Sequence, residues 1–410
     1  MSKAGSIWYI HPYAGGPGIG RYDRPYHLAR EWNALGRRSV ILTTCNHHLL
    51  DVPRTSGVEQ VNGVDYEFLQ APAYRGNGLG RIVNMTAFTL QLVRQADRLA
   101  REHGAPAMVV TSSPHPYAFL AGRHLARKFG ARCVFEVRDL WPLSLVELAG
   151  VAPSHPLVRF TGWLERVAYR TSDHVVSLLP CTLDHMRSVG LDPRRWRYIP
   201  NGVATETEAG ELPDSEAARQ AREWRATGRT VVVYAGALGR PNHVESLVRA
   251  MALEGPRRGA CAVIVGRGEL QPELRALVQS LGLQDSVRIL DQIPKAAVLR
   301  LLREASVGYI SLRPEPIFRF GVSPNKLFDY MQAALPVIFA VRGGNDPVAE
   351  AGCGFSADPG DPASIADAVT RMAALGEARR REMGARGRQY VLEKHGYDRL
   401  ARSYLELATA

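Results

Sequence analysis

No stretch of this 410-residue sequence approaches the ~20 unbroken apolar residues of a membrane-spanning helix, so no bilayer span is expected. Cysteine is scarce. Cys45, Cys133, Cys181, Cys261 and Cys353 are odd in number, widely scattered and contain no C-x-x-C pair, which argues against a disulfide framework and against a zinc site. They read as free thiols of a reducing cytoplasm. Only four apolar residues, Ile7 to Ile10, precede His11, too few for the hydrophobic region of a signal peptide, so the chain is expected to stay where it is made. There is no low-complexity tract, no internal repeat beyond a shared architecture, and no nucleic-acid motif or basic run with interleaved aromatics.

What is present describes an ordinary globular protein. Hydrophobic residues make up 46% and charged residues 22%, which excludes disorder, and the length favours two domains of roughly 200 residues. The net charge of +11 is uneven: residues 1–205 hold 24 Lys and Arg against 15 Asp and Glu, a net +9, and the remainder only +2. A one-sided basic field favours an anionic partner, whether nucleic acid, phospholipid headgroups or a phosphorylated substrate.

Short β-branched or aromatic runs alternate with helical stretches: SIWYI (6–10), SVILTT (39–44), MVVTS (108–112), CVFEV (133–137) and HVVSL (174–178), then TVVVYAG (230–236), CAVIVG (261–266), VRIL (287–290), VGYISL (307–312) and PVIFAV (336–341). That rhythm predicts two doubly wound α/β domains with parallel sheets. The connection is expected near Ile199-Pro-Asn-Gly202, giving domains 1–203 and 204–387. Tyr390, Val391, Leu400, Tyr404 and Leu407 stand at near-helical spacing, so residues from about 388 to 410 are expected to form an amphipathic final helix that joins the first domain.

In the first half, the strand 6–10 runs into Tyr13-Ala-Gly-Gly-Pro-Gly-Ile-Gly20 before a helix predicted from about Tyr22 to Leu35. Glycines there let backbone approach an anion, or simply pack strand on helix. The second strand ends Thr43-Thr44-Cys45 with no carboxylate until Asp51, which speaks against a dinucleotide site. His115 lies between two prolines after the third strand, as suits a side chain held at a site or a plain surface histidine. Glu136, Arg138 and Asp139 fall at the carboxyl end of the next strand, where they serve either catalysis or a structural network.

In the second half, Tyr234-Ala-Gly236-Ala-Leu-Gly-Arg240 places Arg240 to meet a phosphate at a helix N-terminus, and Gly266-Arg-Gly268-Glu269 repeats the turn one strand later. Ser323-Pro324 opens a helix whose N–H groups at Asn325 and Lys326 would cradle an anion. Lys326 adds a charge, and Asp329 on the same face accepts from a sugar hydroxyl; an ordinary capped helix with a Lys–Asp pair is the alternative.

IPNGV (199–203), YAGALG (234–239), GRGE (266–269) and SPNKLFDYM (323–331), in that order, resemble the donor domain of a retaining family 4 glycosyltransferase of GT-B fold, two Rossmann-like domains facing across a cleft. HPYAGGPGIGRYDRPYHLAREW (11–32), YRGNGLGRIVNM (74–85) and FEVRDLWPLSLVELAG (135–150) are similar to the fucosamine-transferase branch of bacterial O-antigen and capsule enzymes. The resemblance implies a cytoplasmic enzyme that moves a sugar, best an N-acetylated amino sugar from UDP, with retained configuration and with neither metal nor cofactor. Gly16, Gly18, Gly236, Arg240, Gly266, Gly268, Ser323, Asn325, Lys326 and Asp329 would bind the donor. His115 would contact the sugar and Asp139 would orient or deprotonate the acceptor hydroxyl. The family carries two glutamates eight positions apart; the second is matched by Asp329, but the first position is Gly321, with Glu315 the nearest carboxylate before it.

The acceptor that this branch implies is a polyprenyl diphosphate at the inner membrane face. Gly80 to His103 reads as a basic amphipathic helix with Ile82, Val83, Met85, Phe88, Leu92 and Leu99 on its apolar face, suited either to a bilayer surface or to covering the sheet. Two other functions fit the sequence: a nucleotide-sugar epimerase on the same scaffold, and a catalytically silent subunit of a glycan assembly complex, which Gly321 permits.

Overall fold

The computed structural model describes residues 5–76, 78–204 and 212–409, and the chain forms two compact units, Met1–Ala204 with Tyr397–Ala410, and Thr205–Gly396. The first unit is built on eight strands: β1 (Ser6–Ile10), β2 (Ser39–Thr44), β3 (Gly57–Val61), β4 (Val64–Leu69), β5 (Pro106–Ser113), β6 (Arg132–Val137), β7 (His174–Ser177) and β8 (Trp196–Tyr198). They lie in the order β3-β4-β2-β1-β5-β6-β7-β8, all parallel except the β3–β4 pair. Strands β1 and β2 are buried along their whole length, as apolar runs covered on both faces must be. The sequence reading missed the β3–β4 hairpin. Its signal was Asn62-Gly63, both with positive φ, the pair that a two-residue hairpin turn demands.

The second sheet, β9 (Thr230–Ala235), β10 (Ala260–Val265), β11 (Val287–Leu290), β12 (Val307–Ser311), β13 (Val337–Ala340) and β14 (Gly354–Ser356), is parallel throughout in the order β11-β10-β9-β12-β13-β14. In each sheet the chain works outward to one side and then crosses to the other, between β1 and β5 in the first and between β9 and β12 in the second. Doubly wound sheets bind ligands beyond the carboxyl ends of the strands at such a reversal.

A buried polar hub organises the first unit. Glu136 on β6 accepts from Tyr9 (2.7 Å), Ser112 (2.6 Å), Tyr404 and the Arg24 guanidinium (3.0 Å). Arg24 opens helix α1 (Arg24–Ala34) and also donates to the carbonyl oxygens of Pro200 (2.6 Å) and Ile199 (3.3 Å). Glu136 is therefore structural, which decides for it between the two readings open in the sequence: its oxygens are spent on strand and helix partners.

The expected single final helix is two, Glu377–His395 and Tyr397–Thr409, broken where Gly396 adopts an extended ψ of 132°. Only the second packs into the first unit. Trp32 Nε1 donates to the Ala401 carbonyl at 3.0 Å, and a Cβ on Gly202 would lie 2.8 Å from Leu400 and the Tyr397 ring, so Gly202 serves this packing. The expected helix 80–103 is likewise two, α2 (Leu79–Arg94) and α3 (Ala96–His103), parted at Gln95. Met85, Phe88, Leu92 and Leu99 face inward as sheet cover, whereas Ile82 and Val83 stay exposed, so the apolar face expected from the sequence is split.

Candidate active site

In the second unit, β9 runs into Gly236, and the helix Asn325–Gln332 is brought against it because Leu327, Phe328, Tyr330 and Met331 are buried and the Ala235 N–H donates to the Tyr330 hydroxyl at 2.8 Å. This sets Lys326 beside Gly236, whose missing Cβ would otherwise stand 2.9 Å from the ammonium. Lys326 Nζ donates to the Tyr234 hydroxyl and to Asn242 Oδ1, both at 2.8 Å, and lies 4.5 Å from the centre of the Tyr234 ring. Among the described residues no carboxylate pairs with it. Burial without a counter-ion pushes its pKa down to about 8, so at neutral pH it is a cation whose partners are all neutral. Pro324 precedes the helix and no side chain caps it, so the Asn325 and Lys326 N–H groups carry no side-chain cap in the turn that bears the ammonium. Ser323, Asn325, Lys326 and the half-buried Asp329 thus share one helix start.

The other predicted donor residues take different places. Gly266 and Gly268 are packing glycines: a Cβ on either would overlap the backbone of Gly236 or Leu238. Arg240 opens a 3₁₀ turn, Arg240–Asn242, and not a helix, since His243 adopts φ 48°. The Arg240 N–H donates to Glu269 Oε1 at 3.1 Å, and this bond holds the Glu269 carboxyl below its ordinary pKa. The backbone N–H at this turn is therefore taken by a carboxylate, while the Arg240 side chain is exposed.

Gly321 has φ 99° and ψ 171°, a region open to glycine alone, while its N–H donates to the Phe318 carbonyl at 2.9 Å. A glutamate there would be strained. The departure at this position is thus a property of the backbone, and Glu315 lies one 3₁₀ turn earlier, at the start of Pro316–Phe320.

In the first unit, the loop after β1 closes on itself: the Gly16 N–H donates to the Gly20 carbonyl at 3.1 Å and the Gly20 N–H returns to Gly16 at 3.2 Å. Gly16 is buried with φ 154°, and a Cβ on it would overlap the Tyr66 hydroxyl, so the close packing of the loop requires glycine here. Gly18, with φ 67°, is exposed at the tip.

His115 follows β5 and is 5% exposed. Its Nε2 lies 3.3 Å from the Tyr13 hydroxyl, which accepts from Arg81 Nε at 3.0 Å. Burial, with the Arg81 charge, pushes the His115 pKa down to about 3, so the ring is neutral and serves as a hydrogen-bonding group, not a proton carrier at neutral pH. Its Nδ1 is buried without a partner among the described residues. Around Tyr13 also stand His11, His47 and His48, none of them foreseen as site residues; burial drives His47 to about 3 as well. Arg138 lays its guanidinium 3.8 Å from the centre of the Tyr22 ring and donates to His11 Nε2 at 3.2 Å. Asp139, solvent-accessible beside it, lines a small depression with Ser113, Trp141 and Glu165; the protein around it raises its pKa and Arg138 opposes the rise. Ser113 and Val137 pair in register, so His115 and Asp139 sit at adjacent strand ends.

Residues 18–202 match the family described as glycosyl transferase 4-like domain, and residues 229–374 match glycosyl transferases group 1. No curated protein sequence matches significantly. Similar solved structures include a sucrose-phosphate synthase from Thermosynechococcus elongatus (21% identity, 99% of this chain and 98% of that chain, TM-score 0.72). Anabaena HepE in complex with UDP and glucose is 15% identical over 99% of each chain, with a TM-score of 0.64. WaaG, a glycosyltransferase involved in lipopolysaccharide biosynthesis, is 15% identical over 98% of this chain and 100% of that one, with a TM-score of 0.66.

Proposed function

Because the chain belongs to the glycosyltransferases and has the GT-B fold, we propose that it transfers a sugar from a nucleoside diphosphate to an acceptor with retention of configuration and without a metal ion. The observation that carries this reading is Lys326, a cation with neutral partners only, at an uncapped helix start beyond the carboxyl end of β9. A departing diphosphate gains negative charge as the glycosidic bond breaks, and a preorganised ammonium with N–H dipoles stabilises that charge without a divalent ion. Asp329 is the ribose-hydroxyl acceptor. UDP, the nucleotide named with HepE, supports uridine as the base; an N-acetylated amino sugar is the group transferred.

Gly321 leaves no glutamate at the family's first position, so the reaction proceeds by attack on the face from which the diphosphate leaves. The acceptor oxygen bonds to the anomeric carbon, the bond from that carbon to the phosphate oxygen breaks, and the acceptor proton passes to the departing phosphate oxygen. Neutral His115 hydrogen-bonds the transferred sugar. Asp139, its pKa raised, orients the acceptor hydroxyl. The acceptor is a polyprenyl diphosphate glycan of surface polysaccharide synthesis, met by a protein peripheral to the cytoplasmic face of the membrane; no helix among the described residues is long and apolar enough to cross it.

The test is calorimetric binding of UDP, GDP, dTDP, CMP and NAD, first in EDTA and then with magnesium. EDTA-insensitive binding of UDP, followed by turnover of UDP-sugars, is the expected result. Binding with no transfer or sugar release would mark a silent subunit, a role that Gly321 permits, and NAD binding would contradict the reading.

A further inference from the structure

Of the thirteen large apolar side chains exposed among the described residues, nine fall within residues 79–163 of the first unit. Five of them, Leu79 (80% exposed), Ile82, Val83, Leu90 and Val93, form a stripe along α2 at helical spacing, opposite the buried Met85, Phe88 and Leu92. Helix α2 packs beside helix α4 (Phe119–Phe129), and both adjoin helix α6 (Pro156–Thr171), which follows the short α5 (Leu143–Glu147), around the turn Pro116–Ala118. On α6, Phe160 and Trp163 are exposed and stacked with ring centres 5.9 Å apart, and Tyr117 of the turn stacks on Phe160 at 6.0 Å. Arg159, Arg166 and Arg170 share the exposed face of α6 with these rings. Together α2, α4 and α6 carry eight Arg and Lys, of which Lys128 pairs with Asp97 of α3 at 2.8 Å and Arg81 turns onto Tyr13, and a single carboxylate of their own, Glu165, which is buried.

We infer that this three-helix face is a docking surface for an anionic lipid bilayer, with Phe160, Trp163 and the α2 stripe entering the interface and the arginines meeting headgroups. The inference sharpens the peripheral location proposed above but rests on exposure and charge, not on sugar transfer. An apolar stripe of this size has no role against a nucleic-acid backbone, and a second copy of the chain would set this excess of arginines against its like. Interfacial segments combine these same features: aromatic and aliphatic anchors amid an excess of Arg.

The test is flotation of the full-length protein with vesicles of phosphatidylcholine alone or with about one-third phosphatidylglycerol, in the absence of donor and acceptor. Partition is expected to be at least about tenfold stronger on the anionic vesicles, to weaken with salt, and to fall by about tenfold in Phe160→Ser/Trp163→Ser and in Ile82→Ser/Val83→Ser. Both variants change exposed side chains only, and retained UDP binding and circular dichroism show that they fold. Equal partition on neutral vesicles, no partition, or variants that float as wild type would overturn the inference. So would a solution dimer that the variants dissolve, which would assign the face to a second copy. UDP binding without flotation contradicts the docking surface alone; flotation without UDP binding contradicts the proposed reaction alone.

Discussion

Each unit of the molecule holds a cation withdrawn from water, Arg24 fully and Lys326 in large part, and the two are held in opposite ways. Arg24 is ion-paired to Glu136 and donates to two backbone carbonyls, so its charge is cancelled and its donors are spent on holding α1, β6 and the 199–200 crossing together. Lys326 has a hydroxyl, an amide oxygen and a ring face for company, and burial costs it part of its affinity for a proton. Arg24 has its anion built in, and Lys326 lacks one. A buried charge without a counter-ion is a standing cost in the free protein that an incoming anion relieves.

The comparison breaks most severely at the paired cation. Glu136→Ala leaves Arg24 uncompensated in the interior and is expected to cost about 3–5 kcal/mol of stability, read from urea denaturation, while UDP affinity of the folded fraction is unchanged. At the unpaired cation the effects exchange places. Lys326→Ala is expected to weaken UDP binding by on the order of 2–5 kcal/mol in calorimetry and to leave the urea midpoint nearly where it was. Between these sites in size is the strained glycine: Gly321→Glu would force a side chain into φ 99°, for about 1–3 kcal/mol of lost stability and no gain in turnover.

Two pH effects sharpen the contrast. UDP binding requires Lys326 charged, and its pKa in the free protein is about 8, so affinity is expected to fall as pH rises through 8, approaching tenfold per pH unit, with no such fall in Lys326→Ala. Acid acts on the first unit. His47 and His115 are held neutral down to about pH 3 when folded, whereas the unfolded chain takes up protons below about 6.5. Stability contributed by their neutral forms is therefore present above 6.5 and lost as pH falls from there towards 3, which a pH series of denaturation curves would show.

The elements that carry a strong local pattern were legible in the sequence. The ten apolar runs all became strands, because a parallel sheet covered on both faces demands continuous burial, and the Ser323–Lys326 helix start was readable because proline and an uncapped turn are local features. Partnership across the fold was not legible. Glu136 stayed open between catalysis and structure because its partner Arg24 stands 112 positions away. Tyr234 and Asn242 hold Lys326 through turns that spacing does not reveal, and the contact of Glu269 with the Arg240 N–H comes from a neighbouring loop that spacing does not reveal either. The stripe on α2 was half read: a helix apolar on two opposite sides gives one hydrophobic count, and only packing tells which side is covered.

The most direct test of the central claim, that Lys326 is the vacant partner of a nucleoside diphosphate, is UDP calorimetry on wild type and Lys326→Ala side by side at pH 7 in EDTA. The account predicts metal-independent binding to the wild type and, in the variant, loss of at least about thirtyfold in affinity, the lower end of the range above. Equal affinity in the two proteins, or wild-type binding that appears only with magnesium, would contradict it.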